Sequence, residues 1–192
     1  MRIYLDHNAT TPVDPAAAEA AMRALQDLFG NPSSVHYYGQ QAKAALDAAR
    51  SAVATLIGAE PPEIVFTSGG TEADNYAIRG VAEALEPTGR KHVITSGIEH
   101  EAVIHTFKAL ARRGWKTTLL PLDTTGIVSP DRLREALSDE TALVSIMHAN
   151  NEIGTIQPLA ELAQLGVVHD EAGPPMPPPG RVAGGPTRTT TT

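Results

Sequence analysis

The chain reads as an α/β protein built on a mostly parallel sheet with helices on both faces, and three observations predict it. Short β-branched and apolar runs alternate with longer segments of helical period from residue 13 to about residue 165. Each intervening segment is long enough to carry a crossover between parallel strands. The runs themselves are short and apolar enough to be buried in a covered sheet.

Taken in order, the first helix is capped by Asp14 with Pro15 in its first turn, and its stripe of Ala18, Ala21, Met22, Leu25 and Leu28 is expected to be buried. A second helix is predicted from about Gly39 to Ile57, with Ala42, Ala45, Leu46, Ala49, Val53 and Leu56 on one face and Gly58 as its stop. Strands are predicted at Glu63–Thr67, His92–Ser96, Lys116–Leu120 and Ala142–His148. Between them, Glu72–Leu85, Ala102–Arg113 and Pro130–Leu137 read as the crossover helices. No internal repeat interrupts the series.

Composition narrows the function classes. A formal charge of −7 lacks the basic footprint that nucleic acid or an anionic membrane requires. With no cysteine, the chain has no disulfide, no thiolate metal site and no thiol nucleophile. The start Met1-Arg2-Ile3-Tyr4-Leu5-Asp6 carries no apolar signal region, and no stretch reaches the roughly 18 apolar residues of a membrane span. A cytoplasmic protein is expected.

Three strand ends carry polar clusters. In Glu63-Ile64-Val65-Phe66-Thr67-Ser68-Gly69-Gly70-Thr71-Glu72 a strand passes through a glycine turn into a helix. Free N–H groups and the positive dipole end at such a start favour an anion, and the glycines allow close approach. Thr71 adds a hydroxyl, whereas the plainer reading is an ordinary turn with a threonine cap. His100, in Glu99-His100-Glu101-Ala102-Val103, lies just past a strand's carboxyl end, where ligands bind in parallel sheets; the plainer alternative is a structural hydrogen-bonding histidine. Asn150 and Asn151, in Met147-His148-Ala149-Asn150-Asn151-Glu152-Ile153-Gly154-Thr155-Ile156-Gln157-Pro158, offer donors and acceptors suited to a phenolic oxygen or a carboxylate, or serve as turn formers. His7 and His36 lie in polar loops without ligand spacing, so no metal site is expected.

Together the strings LDHNATTP, FGNPSSVH, EIVFTSGGTEADN, EHEAV and HANNEIGTIQP resemble the cysteine desulfurases of the NifS and IscS kind, pyridoxal 5′-phosphate (PLP) enzymes of the class V aminotransferase family. The resemblance spans about Ile3 to Leu165 and implies part of the large domain of a type I PLP-transferase. It implies that Gly70 and Thr71 bind the cofactor phosphate, that His100 stacks on the pyridine ring and helps move protons, and that Asn151 contacts the ring hydroxyl and nearby substrate. The implied reaction removes sulfur from L-cysteine, leaving L-alanine and a persulfide destined for iron–sulfur or thio-modification acceptors. A homodimer and sulfur-acceptor proteins are the implied partners.

The chain also departs from that family. Members continue through a His-x-Asp-Ala-x-x-Gln stretch to a Ser-x-His-Lys motif that holds the cofactor covalently. Here Gly166-Val167-Val168-His169-Asp170-Glu171-Ala172-Gly173 is a shortened echo, with Glu171 or Asp170 near the Asp position, and no Ser-x-His-Lys follows. The lysines are Lys43, Lys91, Lys108 and Lys116. Residues 1–165 are therefore expected to form the cradle. Residues 166–192, whose last twenty hold six prolines, four glycines and five threonines, are expected to form a disordered, out-of-frame tail. The expectation is a truncated, inactive desulfurase fragment. The alternatives are a non-catalytic PLP- or partner-binding module and a selenocysteine lyase relative.

Overall fold

A computed structural model describes residues 2–165 of the chain. The expected tail lies outside the described residues. Within them the chain forms two compact units, residues 11–66 and residues 2–10 with 67–165.

The first unit is helical. Asp14 caps α1 (Pro15–Asp27) through Oδ1, which accepts from the N–H groups of Ala16 at 2.8 Å and Ala17 at 3.4 Å. The expected cap and first-turn proline are thus present, but the burial is not. No residue of α1 is buried, and Met22 and Leu25 stand exposed. Capping is a local matter, settled by two N–H groups and one carboxylate; burial needs a neighbour, and the stripe finds none among the described residues.

In α2 (Tyr37–Ile57) His36 is the cap, its Nδ1 accepting from the Gly39 N–H at 3.3 Å. Ala42 and Ala54 are buried, Ala45 and Val53 half-buried, while Leu46, Ala49 and Leu56 are exposed against expectation. The helix stops at Gly58, whose φ of +70° is the left-handed conformation that glycine adopts without steric cost.

The predicted strand at Glu63–Thr67 is not formed. Pro61–Glu63 makes a 3₁₀ turn instead, closed by the Glu63 carboxylate on the Glu60 N–H at 2.9 Å, and residues 64–67 pair with no strand among the described residues. Arg50 secures this segment to α2 by donating to the Ile64 carbonyl and lying over the Phe66 ring, 5.0 Å from its centroid. A β-branched run supplies the propensity for a strand, but a ladder needs an adjacent edge.

The second unit holds the expected parallel sheet, but the run predicted at Ala142–His148 is a strand only over Thr141–Ser145, and the strand at Lys116–Leu120 is exposed at residues 116 and 119 rather than buried throughout. Its helices and strands are α3 (Gly70–Leu85), β1 (His92–Ser96), α4 (Glu101–Arg112), β2 (Lys116–Leu120), α5 (Pro130–Ala136), β3 (Thr141–Ser145) and α6 (Leu159–Leu165). The strands are parallel in the order β2-β1-β3, with His92 opposite Lys116 and Ser96 opposite Leu120 on one side. On the other side Val93 pairs with Leu143 and Thr95 with Ser145, after a register shift at His92/Val93. Every residue of β1 is buried.

Successive side chains of β1 serve the two faces. Val93 packs with Ile78 and Ala82 of α3, Val103, Phe107 and Leu110 of α4, and Trp115. Ile94 packs with Leu120, Val128, Leu133 of α5 and Leu162 of α6. Helices therefore cover both faces. No helix among the described residues is long and apolar enough to cross a membrane.

Candidate functional site

The order β2-β1-β3 places a crevice by topology alone. The chain leaving β1 turns to α4 on one face, whereas the chain leaving the neighbouring β3 reaches α6 on the opposite face. Two adjacent strands whose exits diverge open a gap at their carboxyl ends, and ligands of such sheets bind there.

A cavity of about 430 Å³ occupies that place, lined by Ile98, Glu99, His100 and Glu101 after β1 and by residues 147 and 150–153 after β3. His100 and Asn151, singled out separately in the sequence, thus share one cavity. Gly70 and Thr71 lie outside its lining.

His100 caps α4. Its Nδ1 accepts from the Ala102 N–H at 3.1 Å, so the neutral ring carries its proton on Nε2. The plainer reading, a structural hydrogen-bonding histidine, is met by this cap, and Nε2 is not used in it.

The two asparagines divide their work. Asn150 is half-buried and committed to the protein: Oδ1 accepts from the Glu152 and Ile153 N–H groups at 2.8 and 3.0 Å, while Nδ2 donates to the Ile98 carbonyl at 3.1 Å. Asn151 is exposed, and among the described residues its side chain makes no hydrogen bond. Its carbonyl accepts from Asn8 Nδ2 at 3.1 Å, which ties the LDHNATTP segment to the site. The loop itself is a narrow arm closed by the Ala149–Ile156 bridge and by Asn150 N–H to Thr155 carbonyl at 2.9 Å.

At the start of α3 the cap residue is Gly69, without a side-chain cap, and the first helical bond is Ala73 N–H to Gly69 carbonyl at 3.0 Å. The N–H groups of Gly70, Thr71 and Glu72 precede it and have no carbonyl within the helix. A methyl group built on Gly69 or Gly70 would meet nothing within 4 Å, so the approach is open. Thr71 is in the first turn rather than at the cap, which sets aside the threonine-cap reading. Glu72 turns back, Oε2 accepting from the Ser68 hydroxyl and N–H at 2.6 Å each, and these bonds hold its carboxyl below the usual carboxylate range. α3 feeds β1 through a short turn, so its start lies at the carboxyl end of the sheet, and Thr106 of α4 donates to Asn75 of α3 at 2.7 Å.

Two polar residues that matter here escape sequence reasoning. Glu99 Oε1 accepts from the buried Ser96 hydroxyl at 2.6 Å and from the Met147 N–H at 2.9 Å. Gln157, 3% exposed, takes the Val128 N–H at 2.9 Å and gives to the Gly126 carbonyl at 2.7 Å. Their signal was weak: an acid three residues past a strand, and an amide before a proline.

No lysine is among the residues that line the cavity. Lys91 precedes β1 and Lys116 begins β2, both at the amino end of the sheet; Lys91 pairs with Glu86 at 2.7 Å. Lys108 is exposed midway along α4, and Lys43 pairs with Asp47 at 3.0 Å on α2. Among the described residues no three His, Asp or Glu side chains stand together as metal ligands.

Fold and cavity together define a parallel α/β protein with a crevice at a topological switch point of the sheet. The chain belongs to the class-V aminotransferase family, whose pattern matches residues 3–172. It is 49% identical over 168 residues to the cysteine desulfurase IscS of Dictyoglomus turgidum, an alignment covering 88% of this chain and 42% of that protein. Among solved structures it resembles a NifS-like protein with a TM-score of 0.82 and 42% identity, over 86% of this chain and 45% of that one. It also resembles SspA in complex with cysteine, with a TM-score of 0.79 and 38% identity, over 84% and 46% of the two chains. The chain thus spans about two fifths of the length of the curated relatives it matches.

Proposed function

We propose that this chain carries the cofactor cradle of a PLP-dependent cysteine desulfurase, the enzyme type that takes sulfur from L-cysteine and leaves L-alanine. One observation carries the reading: His100 and Asn151 line a single cavity at the carboxyl end of the sheet. The relatives, and the cysteine held by the SspA structure, support a small thiol amino acid as substrate. A homodimer and sulfur-acceptor proteins are the partners this reading implies.

The residues suit the group. A phosphate needs N–H donors free of competing acceptors, and the N–H groups of Gly70 and Thr71 with the Thr71 hydroxyl meet that need. A flat heteroaromatic ring suits the face of His100, and a phenolic oxygen suits the Asn151 amide. When bound, PLP supplies an electron sink for the bonds broken in the substrate. The protein's own contribution is orientation: with Nδ1 taken by the Ala102 N–H, His100 presents Nε2–H as a hydrogen-bond donor, and proton uptake by the ring would require Nδ1 to release the helix cap. With no lysine at the cavity and no cysteine, this chain by itself holds the cofactor noncovalently.

Titration of the purified chain with PLP, followed by NMR, tests the reading. Reversible binding is expected, with shifts at Gly70, Thr71, His100 and Asn151. Thr71→Val should weaken it at least tenfold, as loss of a charge-assisted hydrogen bond of about 1.5–3 kcal/mol requires. Borohydride treatment should leave no stoichiometric adduct. Shifts confined to the amino end of the sheet, or a one-to-one adduct on one lysine, would overturn it.

A further inference from the structure

The same divergence that opens the crevice creates a mechanical problem. The β1–β3 ladder ends at Thr95 and Ser145, supported there by the Thr95 hydroxyl on the Ser145 carbonyl at 2.8 Å. Beyond that rung the two chains part toward opposite faces, so no backbone ladder holds residues 97–100 against residues 147–151. Yet His100 and Asn151 sit on those parting segments.

Two side chains replace the missing rungs, and they do so reciprocally. From the β1 side, the Glu99 carboxylate reaches across to the Met147 N–H at 2.9 Å and is steadied by the buried Ser96 hydroxyl at 2.6 Å. From the β3 side, Asn150 Nδ2 reaches back to the Ile98 carbonyl at 3.1 Å, while its Oδ1 fixes the turn that follows through the N–H groups of Glu152 and Ile153. Each of these residues immediately precedes a cavity residue: Glu99 precedes His100, and Asn150 precedes Asn151.

We infer that Glu99 and Asn150 are positioning residues, a reciprocal clasp that sets the separation of His100 and Asn151 across the cavity. The chemistry suits the task. The Glu99 bond to the Met147 N–H is charge-assisted, and such bonds are shorter and stiffer than neutral ones. Asn150 spends its acceptor oxygen on two backbone N–H groups and its amide nitrogen on the Ile98 carbonyl and, at 3.6 Å, the Met147 Sδ, so its amide is held away from ligand chemistry while the Asn151 side chain makes no hydrogen bond among the described residues. The adjacent asparagines are therefore not two equivalent ligand contacts. The clasp itself exists without any ligand; its consequence for cofactor binding rests on the function proposed above.

Cross-perturbation in the ligand-free chain tests the clasp. Glu99→Ala should shift the Asn151 side-chain amide resonances and speed hydrogen exchange of the Met147 N–H at least tenfold. Glu99→Gln, which keeps an acceptor oxygen, should restore both. Asn150→Asp, which retains Oδ1 but loses the donor to Ile98, should shift the His100 ring resonances from across the cavity. Trp115→Phe, in the core at the amino end of the sheet, serves as a control for general loosening and should move neither set. The inference is overturned if each variant perturbs only its own segment, or if Trp115→Phe reproduces the Glu99→Ala pattern at equal loss of Tm. Titration with PLP is the separate arm. Glu99→Ala should weaken binding about tenfold with recovery in Glu99→Gln. Unchanged affinity in Glu99→Ala would refute a positioning role. If the parent chain binds no PLP, the proposed function fails while the ligand-free resonances still decide the clasp.

Discussion

Replacing Gln157 by Leu should destabilise the sheet unit by about 1–5 kcal/mol. The side chain is 3% exposed and answers two backbone groups of the turn at residues 126–128, accepting from the Val128 N–H and donating to the Gly126 carbonyl. Leucine has similar bulk but answers neither. A buried backbone group stripped of its partner costs about 1–3 kcal/mol, so two cost about 2–6 kcal/mol. The added apolar burial returns about 1–1.5 kcal/mol. Gln157→Glu should cost less, because it keeps the acceptor for Val128. Urea unfolding followed by Trp115 fluorescence is the suitable assay: Trp115 is the chain's one tryptophan, 4% exposed in the core on the other face, so it reports loss of the whole sheet unit. The Gln157 N–H also anchors the arm on the His148 carbonyl at 2.8 Å, a backbone bond that leucine keeps, so amide exchange at residues 151–154 should change less than at Val128. A Leu variant within about 0.5 kcal/mol of the parent would refute the reasoning, since that is the scatter of surface substitutions.

Two further outcomes follow from the cores. Leu133→Ala, at a side chain 1% exposed among Ile94, Leu120, Val128 and Leu162, should cost about 2–5 kcal/mol in the same urea assay; a loss below about 1 kcal/mol would mean that α5 does not seal that face. His92 is fully buried between Thr141 at 2.9 Å and Thr118 at 2.8 Å, and burial, helped by nearby Lys116, holds its imidazole below the ordinary histidine range. The unfolded chain then binds more protons than the folded one below the unfolded value of 6.5, so its contribution is complete above that pH and is lost as pH falls through it. The slope from this group is at most about 1.4 kcal/mol per pH unit. His92→Gln should flatten stability between pH 6.5 and 5 by up to one proton equivalent, and an unchanged slope would contradict the assignment.

Much of the sheet was legible because its strands are short apolar or β-branched runs between helical segments, although only the central strand is buried throughout. His92–Ser96 and Lys116–Leu120 are found where their runs predict them, since a covered parallel strand needs a short apolar, β-branched stretch and little else. Glu63–Thr67 has the same local character yet forms no ladder, because pairing requires an edge that no local pattern can announce. The stripe of α1 failed in the same way: its cap was readable, its burial was not.

The sequence by itself determined the elements whose causes lie within a few residues: the Asp14 cap, the Gly58 stop, the open glycine start of α3, and the apolar runs of the sheet. It also placed His100 and Asn151 just beyond strand ends, since a polar cluster following a buried run marks an exit from the core. Only the tertiary structure decided that these two residues share a cavity, because that depends on β1 and β3 being neighbours whose exits turn to opposite faces. The roles of Glu99, Asn150 and Gln157 were decided there too. A side-chain carboxylate or amide has the same chemistry whether it meets a ligand or a backbone, and its partners here lie 48, 52 and 29 residues away, a separation over which only the fold chooses the contact.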